Sequence, residues 1–214
     1  MYEATKQEIV DTCLWLTEHG MVVGSSGNVS VRVDDHVVIT PSSVKYDKMA
    51  IDDIMVLDTE GRVLEGAKTP SIETPTHLRI YKRRRDARAV VHTHSVYASA
   101  LAVLGMPLPP VLDEIVPKIG GEVRVASYAM PGTDELAEAV VDALEGRSGV
   151  LMANHGALTC GRTLEEALDL SVLLDRACRI YLLALSVGTP RTLSKEVIEV
   201  ESQLWAVLRN CREE

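Results

Sequence analysis

Ala89-Val90-Val91-His92-Thr93-His94 reads as a short strand that ends in two histidines. Its three apolar residues anchor it in a core. On a strand, positions i and i+2 point to the same face, so His92 and His94 stand side by side. Two imidazoles so placed can share one metal ion; the alternative is a hydrogen-bonded pair of core histidines. A second apolar run, Val150-Leu151-Met152, leads to His155 and Gly156. All three histidines therefore fall at the ends of buried strands, where a rigid scaffold can hold a site. Three histidines with one carboxylate are an ordinary ligand set for Zn²⁺ with an exchangeable position. The same donors suit Fe, Co or Mn. Glu73 and His77, four apart on an expected helix, share a face. Either both are ligands, or His77 orients Glu73 or a neighbour, and the second reading is preferred. His19 and His36, beside a helix end and a turn, are given no role.

Outward from this strand, helices are expected over 3–19, 73–84, 96–104, 134–145 and 194–209, with a long one opened at Thr163 by a capping box with Glu166 and running to about 187. Val29, Val31 and Val33 alternate with polar residues as a strand does, and Asp34-Asp35 turns the chain into Val37-Val38-Ile39. A second hairpin joins 54–57 to 62–64 through Thr59-Glu60-Gly61. Strands are also expected over 123–126 and 150–155. Hairpins and helices mix without a regular βαβ rhythm. That favours a largely antiparallel sheet with helices packed on its faces over a doubly wound parallel sheet.

With 214 residues the chain suits a single domain, 1–214, able to bury a sizeable core. Acids outnumber bases 31 to 22, a net charge of −9, which argues against a nucleic-acid partner. The basic run Lys82-Arg83-Arg84-Arg85 reads as the solvated end of a helix. No apolar run reaches the roughly 18 residues of a membrane span, and the polar start Met1-Tyr2-Glu3-Ala4-Thr5-Lys6 has no signal-peptide core. Cys13, Cys160, Cys178 and Cys211 form no CxxC pair and sit mostly in apolar surroundings, as buried thiols do. A cytoplasmic protein is expected.

Several segments then combine: Gly-Ser-Ser-Gly-Asn-Val-Ser-Val-Arg at 24–32, Ile-Thr-Pro-Ser at 39–42, Pro-Ser-Ile-Glu at 70–73, Val-Val-His-Thr-His-Ser at 90–95 and Ala-Asn-His-Gly at 153–156. In this number and order they resemble the class II aldolase/adducin family, and within it the L-fuculose-1-phosphate aldolase group, over nearly the whole chain. The resemblance implies a three-layer α/β/α sandwich with a central, mainly antiparallel sheet. It implies a homotetramer with active sites between neighbouring subunits, and a small-molecule sugar phosphate as substrate. It implies Zn²⁺, one per subunit, on Glu73, His92, His94 and His155, with Glu73 also matching the family's general acid/base. It points to Ser26, Asn28, Ser42, Ser43 and Ser71 for the substrate phosphate, where short, small residues let backbone amides approach an anion.

Of three departures from the fuculose enzyme, two touch the phosphate side and the third bears on specificity. Ser42-Ser43 stands where that enzyme has Thr-Gly, and Ile72 replaces a second serine. Asp113, beside Glu114, aligns with a tyrosine acid, so Asp113 or Glu114 is the candidate proton donor to the aldehyde oxygen. The tail 209–214 also lacks a closing tyrosine. The expected activity is reversible cleavage of a (deoxy)ketose 1-phosphate to dihydroxyacetone phosphate and a short aldehyde. The alternatives are a sugar-phosphate 4-epimerase, a decarboxylase that would need a cation such as Lys45 or Lys118, and a non-catalytic adducin-like binding module. The last would be expected to have lost ligands that this chain keeps.

Overall fold

The structure, a computed structural model, describes residues 2–210. In chain order the elements are α1 (Glu3–Glu18), β1 (Asn28–Val33), β2 (His36–Ile39), β3 (Met55–Asp58), β4 (Val63–Glu65), α2 (Thr74–Arg83), β5 (Ala89–Thr93), α3 (Val96–Leu104), α4 (Ile115–Ile119), β6 (Val125–Ala126), α5 (Asp134–Ala143), β7 (Gly149–Met152), β8 (Gly156–Gly161), α6 (Leu164–Val187) and α7 (Lys195–Asn210). The strands form one sheet in the order β4-β3-β2-β1-β5-β8-β7-β6. Neighbours are antiparallel except β6 and β7. The sheet is thus mainly antiparallel, as expected, with one parallel pair at its edge. Parallel neighbours cannot be joined by a tight turn, and α5 supplies their crossover.

The alternation of side chains divides the core in two. Val37, Ile39, Met55, Leu57, Val90, Val150, Met152, Leu158 and Cys160 face Ile80 and Tyr81 of α2 and Leu136 and Val140 of α5. The opposite face carries Val29, Val38, Val56 and Val91 under Ile9, Cys13 and Leu16 of α1. Further along, Leu151 and Ala157 lie under Leu101 of α3 and Leu170 and Leu174 of α6. Helices therefore cover both faces, which gives the expected three layers.

Local signals account for most boundaries. Gly105, in the left-handed region at φ 62°, ends α3. The Thr163 hydroxyl accepts the Glu166 amide at 3.1 Å and opens α6. The Glu166 carboxylate reaches back to the Arg162 amide at 2.6 Å instead of closing the box on Thr163. Two elements escaped the sequence reading. β8 is buried at every position and made of Gly, Ala, Leu, Thr and Cys, so it lacks alternation. α4 is a five-residue helix whose Pro117 sits in its first turn, where no amide is required.

The basic run is more than a solvated helix end. Arg84 pairs with Asp86 through two contacts of 2.8 Å and donates to the carbonyls of Leu144 at 3.2 Å and Arg147 at 2.6 Å. Cys13, Cys160 and Cys178 are buried free thiols, as expected; Cys211 lies outside the described residues. Among those residues no helix is long and apolar enough to cross a membrane.

Candidate active site

Four segments meet at one end of the sheet, on the side covered by α2. The register sets Asn28 of β1 opposite His92 of β5, and Leu158 of β8 flanks His92 on the other side. β5 ends at Thr93, and the His94 amide then donates to the Met21 carbonyl at 3.1 Å. Between β7 and β8 the chain reverses through Ala153-Asn154-His155. Asn154 takes φ 55°, a left-handed angle that asparagine tolerates, and the His155 amide donates to the Met152 carbonyl at 3.0 Å. This turn carries His155 over the end of β5. Glu73 occupies the residue before the first turn of α2, so its carboxylate faces the three rings.

The donor atoms converge. His92 Nε2 lies 3.0 Å from His94 Nε2 and 3.2 Å from Glu73 Oε2. His155 Nε2 lies 3.4 Å from Glu73 Oε1. One nitrogen from each of the three histidines falls within 4.8 Å of the other two. His92 Nδ1 is 2.9 Å from the Ala157 carbonyl. A carbonyl only accepts, so Nδ1 carries the proton and Nε2 turns its lone pair to the centre, the usual arrangement behind a metal-binding histidine.

Electrostatics favour the same state. Burial pulls His94 down to about 4, helped by His92 and His155, against the pull of Glu73. His155 is lowered by burial and then by His92. Burial pushes the Glu73 carboxyl up, but His92, His155, the Asn28 amide and His77 outweigh it and hold the group below its ordinary value. Neutral imidazoles and an ionised carboxylate are the forms that bind a divalent metal. Glu73 is 3% exposed, and its Oε1 is a buried oxygen that accepts no hydrogen bond. An orphaned acceptor beside the His155 nitrogen, at the edge of a three-histidine cluster, fits a divalent metal. His92, His94 and His155 could hold one, with Glu73 as the fourth donor.

Two glycines make the close approach possible. A Cβ on Gly156 would stand 3.2 Å from both His92 Cε1 and His94 Cδ2. Gly27, at φ +78°, brings the loop before β1 against the same strand end; a Cβ there would meet the His92 carbonyl oxygen at 2.6 Å.

Ser26, Asn28, Ser42, Ser43 and Ser71 line one cleft of about 410 Å³ with Glu73, His92, His94 and His155. Their polar atoms are not equally free. The Ser26 hydroxyl accepts the Val23 amide at 2.9 Å and donates to the Val23 carbonyl at 2.8 Å. Ser71 Oγ accepts the Glu73 amide at 3.3 Å. Asn28 donates to Glu73 Oε2 at 2.8 Å. The hydroxyls of Ser42 and Ser43 lie 3.3 Å apart on the exposed side. Ser43 has φ 62°, which explains why a glycine suits this position. Ile72 also lines the cleft and is 61% exposed.

Asp113 and Glu114 do not line this cleft. They precede α4, where Asp113 accepts the Glu114 amide at 2.9 Å and Glu114 pairs with Arg176 of α6. Lys118 is 3.9 Å from Glu114. The sequence pattern alone did not single out Ser30 and Tyr81: beneath Asn28 the Ser30 hydroxyl bonds to both His77 and Tyr81. Their signal was available: Tyr81 follows His77 by four on α2, and Ser30 follows Asn28 by two on β1.

Residues 7–182 match the family described as Class II Aldolase and Adducin N-terminal domain. The chain is 39% identical over 195 residues to the L-fuculose phosphate aldolase of Escherichia coli O6:H1 (strain CFT073), covering 91% of this chain and 90% of that protein. It is 35% identical over 196 residues to the 5-methylthioribulose-1-phosphate/5-deoxyribulose-1-phosphate aldolase of Rhodospirillum rubrum, covering 92% and 88%. A solved structure of an L-fuculose 1-phosphate aldolase superposes with a TM-score of 0.90 at 37% identity, covering 94% of this chain and 95% of that one.

Proposed function

We propose, from the premise that this chain belongs to the class II aldolase and adducin family, that it is a zinc-dependent aldolase. It reversibly cleaves a deoxyketose 1-phosphate, such as L-fuculose 1-phosphate, to dihydroxyacetone phosphate and a short aldehyde. The observation that carries this reading is the buried Glu73 carboxylate, with Oε1 free and set against His92 and His155, whose rings meet His94; the same rings hold its carboxyl below the ordinary value. Those four residues would hold Zn²⁺, which when bound supplies a Lewis acid for the negative charge that develops on two adjacent substrate oxygens.

The protein's own groups do the rest. Glu73 takes the proton from the hydroxymethyl carbon in the condensation direction and returns it in cleavage. Backbone amides of the loop 24–28 and the hydroxyls of Ser42, Ser43 and Ser71 bind the phosphate, with Ser26 shaping the loop and Asn28 orienting Glu73. Both relatives carry names of deoxy-sugar phosphate aldolases. Ile72, apolar and exposed at the cleft, offers the phosphate one hydroxyl donor fewer beside Ser71. Asp113 and Glu114 lie outside the chain's own cleft, and in the homotetramer proposed here one of them serves a neighbouring subunit's site as proton donor to the aldehyde oxygen.

The test incubates the zinc-loaded protein with dihydroxyacetone phosphate and a panel of short aldehydes, with products identified by mass. Aldol adducts retaining the phosphate are expected. Epimerised or decarboxylated sugar phosphates, with no adduct from any aldehyde, would replace this reading with one of the other family chemistries.

A further inference from the structure

Beneath the cleft, a single file of buried polar groups ends on Glu73. Glu73, just before α2, and His77 and Tyr81 on it recur every four residues and face β1, whose even positions Asn28 and Ser30 meet them. Tyr81 Oη and Ser30 Oγ are 2.7 Å apart. Ser30 Oγ and His77 Nδ1 are 2.6 Å apart, and His77 Nε2 and Asn28 Oδ1 are 2.5 Å apart. Asn28 Nδ2 then donates to Glu73 Oε2 at 2.8 Å. Ser30 and His77 are 0% exposed, and Asn28, Glu73 and Tyr81 are also buried.

The chemistry of the groups fixes the direction of every hydrogen. An ionised carboxylate only accepts, so the amide nitrogen of Asn28 faces Glu73 and its carbonyl oxygen faces His77. That oxygen also only accepts, so His77 Nε2 carries the hydrogen. A neutral imidazole has one N–H, which leaves Nδ1 to accept from the Ser30 hydroxyl, and Ser30 in turn accepts from Tyr81. Reversing the imidazole tautomer would set two lone pairs face to face, or flip the amide and set Asn28 Oδ1 against the carboxylate.

We infer that His77, held in the Nε2–H form by Ser30 and Tyr81, is a positioning residue that locks the Asn28 amide onto Glu73 Oε2 and thereby reserves Oε1 for proton transfer. The inference rests on the reading of Glu73 as the base. With Oε2 occupied by Asn28, the two carboxylate oxygens are no longer equivalent. Oε1, the oxygen that accepts no hydrogen bond, would serve the metal before substrate arrives and, once released, takes the proton when a substrate C–H bond breaks and its electron pair stays on carbon. The consequence for turnover is large compared with that for substrate binding, because the chain touches the base and not the substrate.

Two measurements test this. In zinc-loaded protein with ¹³C,¹⁵N-labelled histidine, the His77 ring resonances, assigned through bonds from its own backbone, should show a protonated Nε2 and a bare Nδ1. A proton on Nδ1 overturns the inference whatever the activity. In steady-state kinetics, His77→Leu should lower kcat about 10–100-fold with KM nearly unchanged, the usual size of effect for a group supporting a site residue. His77→Gln, whose side-chain amide can set an N–H where Nε2 was, should recover most of that loss. Equal losses in the two variants, or a folded His77→Leu protein with normal kcat, overturn it. If both variants misfold, the tautomer decides. A fully active Glu73→Gln enzyme would instead sink the assignment of the base and leave the tautomer result standing.

Discussion

The carbonyl oxygen of Thr93 fills the space that a side chain at Gly156 would need: a Cβ there would lie 2.4 Å from it. Thr93 stands between two of the histidines and Gly156 follows the third, so the absence of a side chain at one position sets the spacing of all three rings. Gly156→Ala should therefore spread the rings. Overpacking of this kind costs about 1–3 kcal/mol, and each kcal/mol lowers Tm by about 2–4 °C in a chain of this size. Differential scanning calorimetry and zinc titration should show both Tm and zinc affinity reduced. Wild-type values for both would mean that the close packing does not hold the site.

Glu73→Gln keeps the shape of the side chain and can still accept from Asn28, so the fold should persist. The variant cannot take up a proton as a carboxylate does. A positioned general base contributes about 10²–10⁴-fold, and kcat should fall within that range. A rate within a few-fold of wild type would place the base elsewhere.

The buried histidines make the metal-free protein sensitive to acid. His77 is pulled down to about 3 by burial and by His92, against the opposing charge of Glu73, and His94 to about 4. A histidine with an unfolded value near 6.5 gains a proton on unfolding between those limits. The unfolded state thus binds more protons, and stability rises with pH. For the fully buried His77 the slope approaches roughly 1.4 kcal/mol per pH unit. The stability these groups lend is complete above about 6.5 and drains away as pH falls toward 4. Tm of the metal-free protein, measured from pH 7.5 to 4.5, should decline steadily; a flat or rising profile would contradict the neutral, buried state of both rings.

Ser43 carries a left-handed φ of 62°, which costs a residue with a side chain about 1–2 kcal/mol. Glycine removes that cost but frees the unfolded chain by about 0.4–1 kcal/mol. Ser43→Gly should be neutral or slightly stabilising in urea unfolding, and it would separate the hydroxyl's part in phosphate binding from its backbone cost. A clear loss of stability would show that the hydroxyl near Ser42 holds the turn.

Much of this was legible in residue order. The strand leading into His92-Thr93-His94, the helix over 96–104 and the shared face of Glu73 and His77 follow from apolar runs and spacing, although Glu73 precedes α2 and does not open it. What escaped has physical causes. β8 is small-residued and buried on both faces, so it shows neither alternation nor a long apolar run. Alternation in β1 signals a strand, and ordinarily a strand with one wet face. Here the even face is buried against α2, with Asn28 and Ser30 bonded to His77, and no local pattern distinguishes a polar face turned to water from one turned to a helix. Asp113 and Glu114 follow from a resemblance alone, and no local pattern shows that Glu114 pairs with Arg176 away from the chain's own cleft.

The two-residue rhythm of β1 also decides which genetic changes this protein can survive. Odd positions hold the core and even positions hold the reactive end, so most substitutions damage one and spare the other. A single codon inserted or deleted within 29–32 would exchange the two faces beyond it, putting valines under α2 and Ser30 or Arg32 under α1. Drift in this strand is therefore open to replacement but closed to changes of length, and libraries aimed at new substrates should vary residue identity there while leaving the reading of odd and even intact.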